Sequence, residues 1–273
     1  MSNVTVIIPT WNRAETIEKA VRSALDQTIP PLEVLVCDDG STDNTRDVIR
    51  SINDPRVKWI EGAIGGRPAI PRNRGIRKSR GEWLSFLDSD DEWLPEKLEK
   101  QLLLVEKLNC HAACTNAYQY IPEKKKKGEL LSWDQEKITF KDLLKVNQII
   151  CSSTLIHRSL IEMVDGFSEE EGLKSFEDYA LWLRVATQTD FAFLNESLLF
   201  YCDDPENSIR REGVKVWSQR QRVLMDFRTW GKKKNISNEY LREAKKQYLL
   251  ALFLRIKTAA VSCARKIKSS FLI

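Results

Sequence analysis

The chain has 273 residues, of which 42% are hydrophobic and 30% are charged, and its formal net charge is +4. This composition is that of a soluble globular protein with a sizeable core, and it excludes a disordered or collagen-like chain. No run of eighteen apolar residues is present, and the first ten residues, MSNVTVIIPT, lack the basic and apolar regions of a signal peptide. We therefore expect a cytoplasmic protein.

The six cysteines are scattered without CxxC pairs, which predicts reduced thiols rather than a disulfide framework. Cys110, His111 and Cys114 lie close together in the chain, but a structural zinc site takes four ligands and no second cluster is present. We therefore expect these three residues to be packed in the core without a metal.

The first hundred residues alternate β-rich runs with amphipathic helical patterns. The predicted strands cover residues 4–9, 32–37, 56–60 and 82–87. The helical patterns between them cover residues 17–25, about 43–52 and 71–78, and the first places Ile17, Ala20, Val21, Ala24 and Leu25 on one face. Strands that alternate with helices predict a parallel, doubly wound sheet, whose ligands bind outside the carboxyl ends of the strands.

The remaining patterns are a helix at 96–108, a strand at 112–120, a solvated loop in PEKKKKGE (122–129), a strand in QIICSSTLIH (148–157) and a helix in FEDYALWLRVAT (176–187). Beyond Trp217 the pattern is helical and basic.

The charge is unevenly distributed along the chain. From Arg210 onward there are 17 Lys and Arg against 4 Asp and Glu, a net charge of +13, so the preceding part carries −9. This asymmetry indicates that the two parts have different surfaces or partners.

Two of the polar loops after predicted strands carry paired acids. In VLVCDDGSTDNT, Asp39 ends a buried strand and suits an acceptor for the base or ribose of a nucleotide, while Thr42 or Asp43 caps the next helix. In FLDSDDEWLP, the carboxylates Asp88, Asp90 and Asp91 repel one another. They can bind a hard divalent cation that holds a nucleotide diphosphate, or they can form a capped entrance to the helix after Pro95.

A third acidic element is SFEDYALWLR, in which Glu177 and Asp178 open a helix. A carboxylate at this place can act as a general base toward a hydroxyl group. Acidic residues are also favoured in the first turn of any helix, so the pattern alone leaves both interpretations open.

Five strings in this order, VIIPTWNR, VLVCDDGSTDNT, PRNRGIRKSRGEWLSFLDSDD, LPEKLEKQ and FEDYALWLR, resemble the family 2 glycosyltransferases of the GT-A fold. The resemblance covers about residues 3–204. It implies a Rossmann-like, mostly parallel central sheet flanked by helices, and an inverting enzyme that uses a nucleotide sugar with Mn²⁺ or Mg²⁺. The domain boundaries it implies are a glycosyltransferase domain at 1–211, with a nucleotide-binding half to about 95 and an acceptor half from 96, and a helical extension at 212–273.

The resemblance also assigns roles to single residues. Asp178 is the catalytic base and Asp90 is the metal ligand. The nucleotide-binding residues are Pro9, Thr10, Asn12, Arg13, Asp39, Arg72, Asn73 and Asp88, with Asp39 on the base, commonly uracil, and Asp88 on the ribose side.

Two departures from the family pattern affect these expectations. Many relatives have a histidine after the LLFY strand, where this chain reads YCDDPENSIRR, so Asp204 lies near its place as a candidate metal ligand, or the loop simply differs. The Q-x-x-R-W motif of processive members is absent, which predicts transfer of a single sugar to a saccharide or lipid-linked acceptor of surface polysaccharide synthesis. Arg210 and Arg211 belong to a loop after the helix that carries Asp178, and this loop is a candidate to fold over the diphosphate of the donor. We expect no nucleic-acid partner.

Two alternatives use the same residues. A metal-dependent nucleotidyltransferase would share the nucleotide pocket and the acids, but this sequence has no glycine-rich, lysine-bearing phosphate loop near the N-terminus, which counts against that class. A receiver-like signalling module would explain the CDD motif but would leave DSDD and FEDY unused.

The C-terminal tail has its own pattern. Leu249, Leu252, Phe253, Ile256 and Ala260 recur at helical spacing among lysines and arginines. This pattern predicts a basic amphipathic helix that lies on the cytoplasmic face of an anionic membrane, or that packs on protein. Arg255 and Lys257 argue against a membrane span.

Overall fold

The structure, a computed structural model, describes residues 3–121, 126–203 and 216–253. The chain forms two compact units, Met1–Arg210 and Arg211–Ile273. The first unit is a mixed α/β unit and carries all the described site residues. Its division into a nucleotide-binding half and an acceptor half stays a prediction.

The described strands of the first unit belong to one sheet. They are β1 (Val4–Thr10), β2 (Glu33–Asp38), β3 (Val57–Ile60), β4 (Trp83–Phe86), β5 (Glu92–Trp93), β6 (Ala112–Ile121), β7 (Lys126–Glu129), β8 (Lys137–Ile138), β9 (Leu155–His157) and β10 (Phe191–Cys202). The helices are α1 (Ile17–Leu25), α2 (Thr45–Ile52), α3 (Ala69–Lys78), α4 (Lys97–Leu108), α5 (Phe140–Lys145), α6 (Arg158–Met163) and α7 (Glu177–Val185).

The strand order is β3-β2-β1-β4-β9-β6-β10-β5. The first four strands are mutually parallel, and β10 is parallel to β6. The short strand β9 is antiparallel to both of its neighbours, β4 and β6, and β5 is antiparallel to β10. The predicted parallel sheet is thus confirmed for the N-terminal strands, while the later strands make the whole sheet mixed.

The centre of the sheet is buried on both faces. All seven residues of β1 and all six of β2 are buried, which explains why their sequences are nearly continuous apolar runs. On α1, the buried residues are the five that the helical spacing places on one face. Helix packing against the sheet therefore follows directly from the period of the sequence.

Two local predictions are wrong. Lys126–Glu129 of the lysine-rich segment is not a loop but strand β7, which pairs antiparallel with Tyr118–Ile121. Strands at sheet edges commonly carry lysine, so a run of charge does not exclude a strand. The segment predicted as one strand at 148–157 is a 3-10 turn at Cys151–Ser153 followed by the short strand β9.

The second unit is described as two helices, α8 (Val216–Lys233) and α9, at residues 238–253. Within the described ranges, no helix is both long and apolar enough to span a membrane. The five cysteines of the described residues form no disulfide with one another, and four of them are buried. Asp204, Arg210 and Arg211 lie outside the described residues, so their predicted roles stay predictions.

Candidate active site

Four loops follow β1, β2, β3 and β4 at the carboxyl edge of the parallel strands. The first two are held together by Asn12, which adopts a left-handed backbone with φ of 51°. Its side-chain oxygen accepts the N–H of Thr42 at 2.8 Å, and its own N–H donates to the Ser41 hydroxyl at 2.9 Å. Asparagine tolerates this backbone and bonds locally, which explains its place in the TWNR turn.

Asp43 contributes to the same junction. Its carboxylate accepts the N–H of Thr45 at 3.0 Å and the N–H of Ala14 at 3.1 Å. Helix α2 begins at Thr45 with Asn44 at the N-cap, so Asp43 lies one residue before the cap position. The predicted capping role is therefore displaced by one residue, and Asp43 instead joins the first loop to the start of α2.

Asp39 is hydrogen-bonded to the glycine-rich loop that follows β3. Its two carboxylate oxygens accept the N–H groups of Gly65 and Gly66 at 2.7 and 2.8 Å. Its own N–H donates to the carbonyl of Thr10 at 2.8 Å, at the buried end of β1 that also contains Pro9. The ionised carboxylate only accepts hydrogen bonds, so any further partner of Asp39 must bring an N–H or O–H group.

The acids of DSDD have three different environments. Asp91 is the buried one: Ser152 donates to one of its oxygens at 2.5 Å, and the N–H of Cys202 donates to the other at 2.8 Å. The hydroxyl of Ser152 also accepts the N–H of Asp88 at 3.0 Å. Burial, and then the charges of Asp88 and Asp90, raise the pKa of Asp91 well above its usual range. Asp91 therefore anchors the loop.

Asp90 is the more open acid, with a third of its side chain exposed, and Arg13 approaches it at 3.8 Å. Burial and then the charge of Asp88 raise the pKa of Asp90, whereas Arg13 and Arg72 oppose the shift. Burial is the larger cause of this shift, and the repulsion from Asp88 is the smaller one. An additional cation would be stabilised here.

Arg72 on α3 is buried, with 4% of its side chain exposed. Its two terminal nitrogens donate to different carboxylates, Asp88 at 2.5 Å and Glu177 at 2.9 Å. Burial alone lowers the pKa of Arg72, but the charges of Asp88 and Glu177 contribute to raising it well above its ordinary value. The guanidinium thus joins the acidic loop to the first turn of α7.

The neighbouring Asn73 makes backbone contacts instead. Its side chain accepts the N–H of Phe167 and donates to the carbonyl of Phe167, both at 2.9 Å, and it also donates to Glu169 at 2.8 Å. These bonds fix the segment that leads from α6 to α7. The predicted nucleotide contacts of Arg72 and Asn73 stay predictions, and both side chains are engaged with protein groups.

Asp178 lies in the first turn of α7, and its side chain is partly buried. One of its oxygens accepts the N–H of Tyr179 at 2.7 Å. Burial, and then the neighbouring charge of Glu177, raise the pKa of Asp178 to about 7, against the opposing charge of Arg72. A carboxylate with this pKa is a considerably stronger base than an ordinary aspartate.

The donors available for a metal are carboxylate oxygens, which suit a hard cation such as Mg²⁺ or Mn²⁺. Within the part of the chain that the structure describes, no three histidine, cysteine or acidic side chains are arranged as a metal cage. The partly exposed Asp90, with Asp88 two residues before it, fits instead a cation held by one or two carboxylates and by the phosphates of a substrate. Asp91 does not fit a ligand role, because both of its oxygens are engaged.

Sequence reasoning missed the partners of these acids. Ser152 gave no signal, since it lies in a segment predicted as a strand. Gly65 and Gly66 were visible as a glycine pair in a loop at the carboxyl edge, although their pairing with Asp39 was not. The contact between Arg72 and Glu177 joins residues 105 positions apart, which no local pattern reveals.

Comparison with known proteins identifies relatives of this chain. The family model described as Glycosyl transferase family 2 matches residues 5–164. The Escherichia coli protein WfgD, named UDP-Glc:alpha-D-GlcNAc-diphosphoundecaprenol beta-1,3-glucosyltransferase, is 33% identical over 82% of this chain and 86% of its own length. WfaP of the same organism, with the same enzyme name, is 31% identical over 69% of this chain and 72% of its own length.

Among solved structures, S. aureus TarS 1-349 in complex with UDP-GlcNAc superimposes with a TM-score of 0.69 at 19% identity, covering 93% of this chain and 73% of that one. This likeness concerns the fold, and it confirms the expected GT-A class. The family match confirms the resemblance drawn from the five sequence strings and decides against the two alternatives.

The buried Ser152 gives a testable prediction. Ser152→Ala leaves the N–H of Asp88 and the carboxylate of Asp91 without their hydroxyl partner, so the free energy of unfolding should fall by about 1–3 kcal/mol in urea denaturation. Ser153→Ala is the matched control, because that buried hydroxyl donates only within its own turn, to the carbonyl of Ile150 at 2.8 Å. An equal or larger loss for Ser153→Ala would contradict the anchoring role of Ser152.

Proposed function

The chain belongs to glycosyl transferase family 2, and on that premise we propose that it transfers a single sugar from a UDP-sugar to a hydroxyl group of its acceptor, with inversion at the anomeric carbon. One observation carries the proposal. Arg72 contacts both Asp88, the expected donor-side acid, and Glu177, the neighbour of the expected base. Donor-binding and proton-accepting groups therefore belong to one connected site.

Asp178 is the base in this mechanism. Its pKa of about 7 means that a substantial fraction is ionised at neutral pH while the carboxylate remains a good proton acceptor. The acceptor hydroxyl lies between Asp178 and the anomeric carbon. Its oxygen forms a bond to that carbon, its proton passes to Asp178, and the bond to the diphosphate breaks with its electron pair leaving on the diphosphate. This single displacement inverts the configuration.

The donor is held by the first three loops and by Asp88. Asp39 accepts the N–H of the base, and the glycine pair that bonds to its carboxylate fixes its orientation. Arg13 brings a positive charge close to Asp90, where the diphosphate would lie. These arrangements support a nucleoside diphosphate donor. Uracil suits the acceptor-only carboxylate of Asp39 because its ring N–H is a donor.

We further propose that the enzyme depends on a divalent cation held by Asp90, with Asp204 as a second candidate ligand. When bound, Mn²⁺ or Mg²⁺ neutralises the charge that develops on the departing nucleoside diphosphate. The raised pKa of Asp90 supports this role, since a cation would relieve the repulsion from Asp88.

The acceptor is a saccharide or a lipid-linked saccharide of surface polysaccharide synthesis. Support comes from WfgD and WfaP, whose names specify a diphosphoundecaprenol acceptor. The chain spans 86% of the length of WfgD and 72% of the length of WfaP.

Asp178→Asn tests the base. The amide keeps the shape of the side chain but cannot take the proton, so transfer should fall by about 10² to 10⁴-fold while UDP affinity in calorimetry is unchanged. Released UDP, measured across a panel of nucleotide sugars with Mn²⁺, first establishes the donor for the parent enzyme. If Asp178→Asn retains transfer, the catalytic carboxylate lies elsewhere. If the parent releases no nucleoside diphosphate from any donor, the proposed function is wrong.

Asp90→Asn tests the metal. The side chain is partly exposed, so the variant should stay folded, yet turnover should fall by about 10²-fold or more, the scale for losing one group that stabilises developing charge. The measurement is the rate as a function of Mn²⁺ concentration. Asp47→Asn on the exposed surface of α2 is the control and should behave as the parent. Parent-like turnover by Asp90→Asn at limiting Mn²⁺ would exclude the metal role.

We also propose peripheral binding to the cytoplasmic face of the membrane through the second unit. Helix α9 exposes about half or more of Leu249, Leu250 and Phe253. Lys245 and Lys246 lie on the same helix and are exposed as well. Apolar side chains flanked by lysines bind the interface of anionic bilayers. A lipid-linked acceptor would be present at the same membrane surface.

Glutamate substitutions at Leu249, Leu250 and Phe253 should release the protein from phosphatidylglycerol vesicles in a sedimentation assay, because they replace apolar contacts with charges that anionic lipids repel. Leu103→Glu is the control, since Leu103 is equally exposed on α4 of the first unit. Undiminished sedimentation of the triple variant would refute membrane binding by α9.

A further inference from the structure

Arg72 has the surroundings of a structural cation. Its side chain is 4% exposed, and the Asp88 and Glu177 carboxylates occupy its two terminal nitrogens. Its guanidinium carbon also lies 5.3 Å from the centroid of the Phe167 ring. A nucleotide that bound Arg72 directly would have to compete with two charged partners for a side chain that is 4% exposed.

The third contact is itself held in place. The backbone N–H and carbonyl of Phe167 both bond to the side chain of Asn73, the residue that follows Arg72 on α3. The Phe167 ring packs edge-on against Phe86 of β4 and against Trp182 of α7. Two consecutive residues of α3 therefore contact Phe167. The Arg72 guanidinium lies beside its ring, and the Asn73 side chain holds its backbone.

We propose that Arg72 is a positioning residue rather than a nucleotide ligand, and that Glu177 is its partner in setting the position and charge environment of the base. The pair joins the donor-side loop to the first turn of α7, and through that turn it orients Asp178. This inference rests on the proposed function, because it assigns Asp178 as the base. Glu177 thereby has a role in the reaction without accepting the proton.

The charges around Asp178 make the role of Glu177 measurable. The groups that face Asp178 are Glu177 on its own helix, Arg72 from α3, Asp88 from the acidic loop and the buried thiol of Cys151 from the 3-10 turn. Glu177 raises the pKa of Asp178, so its removal should move the acidic limb of kcat/KM to lower pH. A residue that only supports the fold would leave that limb in place.

Two variants separate these roles. Arg72→Lys keeps the positive charge but cannot hold two carboxylates in fixed directions, so kcat should fall by about 10²-fold. UDP affinity should fall much less, through the loosened Asp88 alone, and the acidic limb should stay as in the parent. Glu177→Gln keeps the shape and should shift the acidic limb to lower pH. Arg56→Lys is the control. Arg56 also holds a carboxylate, that of Asp54, through two hydrogen bonds. It lies just before β3, at the amino ends of the parallel strands and therefore away from the site at their carboxyl edge.

Amide hydrogen exchange gives a readout that does not depend on activity. Arg72→Lys should accelerate exchange in peptides that cover residues 176–185, and Arg56→Lys should not. A loss of UDP affinity in Arg72→Lys as large as the loss of kcat, an unmoved acidic limb in Glu177→Gln, or unchanged exchange in α7 would each overturn the proposal. A parent enzyme that transfers no sugar would refute the proposed function instead, and the exchange data would still decide whether Arg72 positions α7.

Discussion

The arrangement of this site depends on one buried guanidinium. Arg72 lies where the acidic loop after β4 meets the first turn of α7, and it satisfies one carboxylate from each. A charge buried in this way is stabilised only while its partners are present, and removal of one partner from a buried pair costs about 3–5 kcal/mol. Such a pair adds little net stability relative to apolar side chains of similar volume. We interpret its value as geometric, because it fixes the distance between the donor-binding loop and the helix that carries the proposed base.

The DSDD loop tolerates three acids in four positions because each carboxylate has a different environment. Asp88 is paired with Arg72, Asp90 faces Arg13 and solvent, and Asp91 is buried with hydrogen bonds to both of its oxygens. Each carboxylate therefore has a different means of stabilisation, and Asp90, the most exposed of the three, is the one that a cation could reach. The cluster combines an anchor, a linker and a candidate metal ligand.

Much of the fold could be predicted from local patterns. The apolar face of α1, the buried strand β1 and the start of α7 follow from periodicity and from helix-start signals, which act over a few residues. The acidic loops at the carboxyl edge also indicated Asp39 and the DSDD acids, the helix start in FEDY indicated Asp178, and the family resemblance then selected Asp90 and Asp178. What failed depends on contacts between distant segments. Lys126–Glu129 became a strand through pairing with β6, and Ser152 reached the acidic loop through a 3-10 turn. The pairing of Arg72 with the carboxylates of Asp88 and Glu177 likewise joins distant segments, and no local pattern predicts it.

The central claim is that Asp178 accepts the proton of the acceptor hydroxyl in a single displacement at the anomeric carbon. The configuration of the product tests this most directly, by proton NMR of the saccharide formed from an α-linked UDP-sugar. One displacement assisted by a single base predicts a β-linked product. An α-linked product would show that configuration is retained, which requires a different chemistry, and it would contradict the role assigned to Asp178.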